Sequence, residues 1–512
     1  MEVRGTRLYI AIFICIVALA AYLRLSHLQS NPPGFFTDEA AIGYNSFSLL
    51  TTGKDEYNIS WPIFFKSYGD YRLPLPIYLN IPALLLLGPV DVAPRTTAAF
   101  AGVLTVVFLM VAVTIWLGRL PGIATGLSLT ILPWHIHMSR WASEYVYFPF
   151  FFSLAFLFLI VFYKLKMRRY LYLSFALFGL TMYTYYPAIF QVPLYLLFIL
   201  LGTSIIFGKI KTFRSVLVIA AALFFVSILP MIQGIVSGEL LTRWHSVHDK
   251  EMRLDTQTAG RFLNNYFRHF DPTFLFLRGD EEMRHSVQHY GEAHLFQAGF
   301  ILLGLLFLLF KRKSLVGLSI IWLFLLYPLG SSLTLDRLAT RSIIGVVPIS
   351  ILSGLGIAWF IQSLAKISSR WMLPFGLGLL SIVIVLSMNT YMKKLFVDYP
   401  AYASGWGGFQ YGYKEAMQMC RKYEAEFDDC FITHRFNQSV GLFSYYRLTV
   451  GCQTCKPQKN PIPINRDRNE LFIVRNEDVQ EAKQLYPDLT FYQLDSIVNP
   501  GGVEELAVGY FR

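Results

Sequence analysis

The sequence predicts a mostly α-helical, polytopic membrane protein with about 11 spans, followed by a small C-terminal α/β domain outside the cytoplasm. Three observations predict it. Of 512 residues, 54% are hydrophobic and only 15% charged, against roughly 25% charged in soluble globular chains. The apolar residues form runs close to the roughly 20 residues that cross a bilayer. The segment 392–512 is polar and holds four of the five cysteines.

In chain order the apolar runs are 8–24, 95–117, 121–138, 145–163, 170–187, 188–207, 213–233, 296–310, 315–333, 342–361 and 372–391. The first is expected to stay in the protein rather than act as a cleaved leader: no small-x-small site precedes Asp38, and further spans follow. Basic residues gather in the short loops: Arg4 and Arg7, Arg119, 164-KLKMRR-169, 209-KIKTFR-214, 311-KRK-313 and 366-KISSR-370. The inter-span members of this set contain no Asp or Glu, which places them and the N-terminus in the cytoplasm. The formal charge of +11 is therefore a topological signal and excludes nucleic acid as the expected partner. The run 74-PLPIYLNIPALLLLG-88 is short and holds three prolines, so it is expected to lie along the outer membrane surface. The chain thus divides into a transmembrane domain, 1–391, with outer loops at 25–94 and 234–295, and an exported domain, 392–512. A cell inner membrane location follows.

Within the exported domain, the helix-like 413-YKEAMQMCRKYEAEF-427 precedes apolar 430-CFITH-434. Strand-like 471-LFIVR-475, helical 477-EDVQEAKQLY-486 and strand-like 490-TFYQL-494 then alternate as in a small α/β unit. Cys420, Cys430, Cys452 and Cys455 are an even number in an exported domain, which predicts disulfides. The 452-CQTC-455 spacing by itself also suits zinc or redox chemistry, and the pairing is open.

Outside the spans, charged residues gather in the outer loops. The first holds Asp38, Glu39, Asp55, Glu56, Lys66, Asp70, Arg72 and, where the next span begins, Arg95; another holds 135-HIHMSRWASE-144; a third holds 334-TLDRLATR-341. A carboxylate at a membrane surface is costly unless solvated, paired or used. Carboxylates can take a proton from an attacking hydroxyl, and arginines can grip a lipid phosphate. The histidines of loop 234–295, including His285, His289 and His294, are spaced poorly for zinc and read as solvated loop. Asn58 and Asn437 head glycosylation triplets, and Tyr183, Tyr185 and Tyr186 stand at an outer span end. No Walker A loop or GxGxxG follows a strand, which argues against a cytosolic nucleotide-sugar donor.

The arrangement resembles the GT-C fold glycosyltransferases, in the branch of bacterial protein O-mannosyltransferases and lipid A aminoarabinose transferases. The resemblance rests on 37-TDEAAIGYNSFSLLTTGKDEY-57, 69-GDYRLPLPIYL-79, the arginine-led span 95-RTTAAFAGVLTVVFL-109 and 139-SRWASE-144. It continues in 274-FLFLRGD-280, 333-LTLDRLATR-341 and 411-YGYKEAM-417. It implies that Asp38 is the catalytic base and that Glu39 is the neighbouring acid that positions the acceptor. It implies further that Arg72, Arg95, Arg140, Glu144, Arg337 and Arg341 bind substrate and lipid phosphate. At 72-RLPLP-76 the chain departs from the Lys-Pro-Pro or His-Pro-Pro of the family, keeping the positive charge but shifting the proline spacing. The implied partners are a polyprenyl-phosphate-linked sugar donor, a lipid, glycan or protein acceptor, and membrane lipid. No cofactor is assigned and no metal ligands are named, although a divalent metal is compatible with the family. The expected function is transfer of the sugar to an acceptor hydroxyl on the outer face, with inversion. A transporter or flippase of lipid-linked sugars, and an oligosaccharide polymerase or ligase, are the alternatives. Against transport, the spans are nearly free of charge and carry no visible repeat.

Overall fold

A computed structural model describes residues 2–67, 70–207, 211–242, 256–332, 339–436, 439–457 and 462–512. The chain forms two compact units, each drawn from three segments. The first comprises Met1–Ser26, Ile63–Pro76 and Ala98–Met392; the second comprises His27–Pro62, Ile77–Thr97 and Lys393–Arg512.

Every apolar run of the sequence forms helix. Among the described residues 8 helices are long and apolar enough to cross a membrane: Gly5–Leu25, Val92–Leu117, Tyr147–Leu165, Ala188–Ile206, Arg214–Val236, Leu315–Ser332, Ile343–Leu364 and Met372–Ala403. The other expected spans are shorter. The helix Arg119–Thr130 stops ahead of Pro133, Arg168–Thr181 stops ahead of Pro187, and Leu295–Leu306 continues into a π-helical turn, Phe307–Lys311. Pro133 lacks the N–H that would extend the ladder and disfavours helix just before it, whereas Pro187 lies too far past Thr181 to set that end. The surface segment is a helix too, Pro74–Leu87.

In the first unit the span Ile343–Leu364 lies at the centre, with nine-tenths of its most apolar stretch buried. Lipid gives apolar side chains little reason to associate, so close backbone approach and hydrogen bonds decide which helices pair. Gly304 faces the carbonyl of Leu352, Gly356 that of Phe300, and Gly354 the backbone of Thr125. Any side chain at these positions would hold the helices apart. Between the same helices Gln297 donates to Ser128 Oγ at 2.9 Å. The strands β1 (Phe65–Ser67) and β2 (Asp70–Arg72) form a small antiparallel ribbon in this unit.

The second unit contains a five-stranded mixed sheet. Its strands are β3 (Asp429–Ile432), β4 (Cys455–Pro457), β5 (Glu470–Val474), β6 (Phe491–Val498) and β7 (Glu504–Phe511), in the order β4-β3-β5-β7-β6. β3 pairs in parallel with both β4 and β5, and β7 runs antiparallel to β5 and β6. The expected helices are Tyr413–Lys422 and Asn476–Leu485. The helix Ser439–Val450 and the strands β4 and β7 are additional. Disulfides join Cys420 to Cys430 and Cys452 to Cys455, and Cys15 is free. The core beside this sheet also takes in Phe35 and Ala40 of the first outer loop.

Candidate active site

Asp38 and Glu39 open the helix Thr37–Thr52, whose first turn has unpaired N–H groups and a partial positive charge that suit carboxylates. The two side chains have different fates. Glu39 is fully buried, accepts the N–H of Phe36 at 3.1 Å, and closes the helix start from within. Both its oxygens also accept from Arg95, Nε to Oε1 at 2.8 Å and Nη2 to Oε2 at 2.9 Å. Arg95 is equally buried. Its other N–H groups go to the carbonyls of Leu28 and Pro32, each at 2.9 Å, and of Gly34 at 2.6 Å. All five guanidinium donors are thereby engaged within the protein, and the Phe35 ring lies 5.4 Å from the guanidinium carbon. No donor of Arg95 remains for a lipid phosphate, and both Glu39 oxygens are engaged by Arg95. The pair clamps the loop 28–36 to the start of the helix that carries Asp38. Asp38 itself is only half-buried.

The same helix start is held from a second side. Thr37 N–H donates to Gln410 at 3.2 Å, and Phe35 stacks on Tyr445 with centroids 5.0 Å apart. Gly43 lets that tyrosine approach, since an added Cβ would meet its ring at 2.8 Å. Close by, Asp91 accepts from Lys414 at 2.8 Å and from the Tyr446 hydroxyl at 3.3 Å.

The other candidates lie in the first unit. Arg140 is buried and donates to the carbonyls of Leu23 and Ser26, both at 2.7 Å, satisfying orphan acceptors where the first helix ends. Glu144 is buried four residues on. Arg72 at the end of β2 is 5% exposed and donates from Nε to Ser67 Oγ at 3.0 Å. Arg341 is half-buried. Arg337 lies outside the described residues, as does Asn437.

Three stretches join that lie far apart in the sequence. Trp134 N–H donates to the Glu292 carbonyl at 3.0 Å, its indole N–H donates to the Ala339 carbonyl at 3.1 Å, and His137 Nε2 meets the Arg284 carbonyl at 2.7 Å. Asp280 accepts the N–H groups of Ala339 and Glu282, while Glu292 Oε1 accepts the Asp280 N–H at 3.0 Å. Asp280 of 274-FLFLRGD-280 therefore ties 339–341 to the loop before the Leu295 helix.

The chain matches no protein-family model and no curated protein sequence. Solved structures do match. ArnT from Cupriavidus metallidurans bound to undecaprenyl phosphate superposes with a TM-score of 0.59 at 13% identity, covering 99% of this chain and 98% of that one. Its apo state gives a TM-score of 0.58 at 14% identity, with coverages of 99% and 98%. The chain has the ArnT fold. AglB, the archaeal oligosaccharyltransferase of Archaeoglobus fulgidus, matches in a complex with an inhibitory peptide and a dolichol-phosphate. There the TM-score is 0.52 at 12% identity, covering 98% of this chain and 74% of that one. The GT-C fold implied by the first-loop and arginine-span motifs is thus the fold of the whole chain.

Within this GT-C fold the histidine-rich loop differs from its expected solvated state. His285 and His294 are buried and only His289 is exposed. Burial, partly offset by a carbonyl partner, lowers His137 and His294 each to about 4, so both are neutral at neutral pH. Burial pushes the Glu292 carboxyl well up, and the Asp280 charge adds to this. Burial also raises Asp280, but the hydrogen bond and charge of His285 with two backbone N–H groups outweigh it and hold the carboxyl low. Among the described residues no group of three His, Cys, Asp or Glu is placed to hold a metal ion. The hydroxyls of Tyr183 and Tyr186 donate to the carbonyls of Ser227 and Tyr71. Sequence reasoning missed Asp280 and Glu292 as a pair. Asp280 stood inside the motif 274-FLFLRGD-280, whereas Glu292 lies beyond it in the loop and carried no signal of its own.

Proposed function

We propose that the protein is a polytopic membrane glycosyltransferase that moves a sugar, hexosyl or pentosyl, from a polyprenyl-phosphate donor to an acceptor hydroxyl on the outer face of a cell inner membrane. The observation that carries this reading is the clamped helix start. A half-buried Asp38 sits on a rigid support built by Glu39 and Arg95, in a chain whose fold matches, over nearly its whole length, proteins solved with undecaprenyl phosphate and with a dolichol-phosphate.

In this reading Asp38 takes the proton of the acceptor hydroxyl as its oxygen bonds to the anomeric carbon. The bond from that carbon to the phosphate oxygen breaks, and the polyprenyl phosphate leaves with the electron pair. Inversion follows from the single displacement. Arg72 and Arg341 are the proposed phosphate ligands, their charge growing in value as the leaving group gains charge. Glu39, Arg95 and Arg140 are positioning residues, and Glu144 supports the segment that Arg140 anchors. The transmembrane part is 1–391 and the exported part 392–512. Transfer of a whole oligosaccharide is a second reading, favoured by the likeness to AglB.

The test is release of polyprenyl phosphate by purified protein, with and without candidate acceptors. Asp38→Asn keeps the size but removes the base, so turnover should drop by roughly 10²–10⁴-fold while donor affinity changes little. Near-parental turnover in a folded Asp38→Asn protein would remove Asp38 from the role. Acceptor-independent movement of intact donor across vesicles would replace the transferase by a flippase.

A further inference from the structure

The first unit has a second feature that sugar transfer does not use. Its cavity of about 510 Å³ lies where several helices end together: Val92–Leu117, Tyr147–Leu165, the π-helical turn Phe307–Lys311 and Val346–Leu364. It stands at the far end of the helix Tyr147–Leu165 from Arg140 and Glu144, because Lys164 of its last turn is in the lining. Lys311 and Arg312 supply two more cations, and Trp116 and Trp359 supply aromatic walls.

Three facts give this cavity a ligand chemistry. First, its lining holds three cations and no acid, and among the described residues none of the three has an acidic partner. Like charges gathered this way repel unless an anion joins them. Second, the π-helical turn ends on Lys311. Such a turn inserts a residue into the helical repeat and re-aims the side chains beyond it; these turns occur frequently at functional sites. Third, the helix Arg119–Thr130 begins at the cavity with Gly118 as its N-cap, which has no side chain to satisfy the first N–H groups. Nothing lies within 4 Å of a Cβ built on Gly118, so this partly positive end is open.

We infer that this cavity binds the phosphate headgroup of an anionic phospholipid, with the acyl chains lying along the adjoining apolar helices. The half-buried Trp116 and Trp359 fit the boundary where such a headgroup meets hydrocarbon. Basic pockets between spans are a known way for membrane proteins to hold anionic lipid. The proposed topology puts this end in the inner leaflet. The ligand chemistry is independent of that side and of the transferase reading.

The experiment uses full-length protein in nanodiscs that contain phosphatidylcholine with a minor share of brominated phosphatidylglycerol. Bromine on a bound lipid should quench Trp116 and Trp359, and the parent should retain phosphatidylglycerol selectively through native mass spectrometry. Each Lys or Arg near an anionic surface contributes about a fivefold attraction. The combined variant Lys164→Gln, Lys311→Gln and Arg312→Gln should therefore lose selectivity by on the order of 100-fold. The control is Lys166→Gln with Lys366→Gln and Arg370→Gln, exposed basic residues outside the lining, and it should keep selectivity. Equal loss in both sets would overturn the pocket in favour of diffuse charge attraction. Unchanged selectivity in the first set, or displacement of the lipid by inorganic phosphate at matched concentration, would overturn it too. Should the combined variant unfold, Trp359→Ala supplies the same readout through lost quenching and weaker retention.

Discussion

Arg95 shows how a residue can match a motif and still have a different task. A phosphate ligand needs free N–H groups, and all five of this guanidinium are bonded to Glu39 and to the carbonyls of Leu28, Pro32 and Gly34. Removing one partner of such a buried pair strands a charge and costs about 3–5 kcal/mol. Glu39→Gln and Arg95→Gln should each lower stability by that amount, read from thermal inactivation. Per folded molecule, turnover should fall because Asp38 loses its support, while donor affinity holds. A donor affinity that drops in step with turnover would return Arg95 to the phosphate. Glu292 gives a prediction in pH. Its carboxyl is raised on folding, so it favours the folded state fully below its ordinary value near 4.5, and that favour is lost as the pH rises toward its folded value. Glu292→Gln keeps an oxygen for the Asp280 N–H and cannot ionise. Relative to the parent, its unfolding temperature should rise progressively as the pH is raised from 4.5 to 8. A constant difference across that range would mean that Glu292 does not change ionisation on folding.

At the scale of elements, the gap between what the sequence discloses and what it conceals follows the range of the interactions. The spans were legible because a bilayer demands a local property, a long apolar run, and each run became helix. Strand β5 and the helices at 413 and 476 were legible from local periodicity. Strand β7 was not, because its place between β5 and β6 depends on partners distant in sequence. The Glu39–Arg95 clamp joins residues 56 apart, and the burial of His285 and His294 depends on segments from three loops. Nothing within a window of neighbours reports either. Glycines divide the same way. A Cβ at Gly304 would meet the Leu352 carbonyl oxygen at 1.9 Å, whereas one at Gly378 would meet nothing within 4 Å. Backbone cannot rotate aside, so Gly304→Val should destabilise by about 3 kcal/mol, the upper part of the overpacking range. Gly378→Val should stay within about 0.5 kcal/mol, as exposed substitutions do. Inactivation temperatures in detergent check both, and equal effects would mean that the helix pairing at Gly304 is not tight.

For the whole molecule, one short helix decides the direction of nearly everything after it. If Pro74–Leu87 crossed the membrane, each later basic loop would face outward and the disulfide-bearing domain would face the reducing cytoplasm. The helix has 14 residues, about 21 Å at 1.5 Å per residue, against a hydrocarbon core of about 30 Å. Arg168–Thr181 is equally long, so length alone does not set it apart; Pro82 removes a further backbone bond within that short length and leaves a carbonyl that lipid cannot satisfy. On the proposed topology the basic loops then stay inside, and the pairs Cys420–Cys430 and Cys452–Cys455 form where disulfides persist. Two independent measurements should agree. Alkaline phosphatase fused after Arg512, which needs export to become active, should be active, and the same enzyme fused after Lys313 should be inactive. Alkylation of denatured, unreduced protein should label Cys15 alone, with the four other thiols appearing only after reduction. Activity after Lys313 and not after Arg512 would reverse every segment after Pro74–Leu87 while leaving Asp38 outside, which would separate it from Arg341 and overturn the proposed set of site residues.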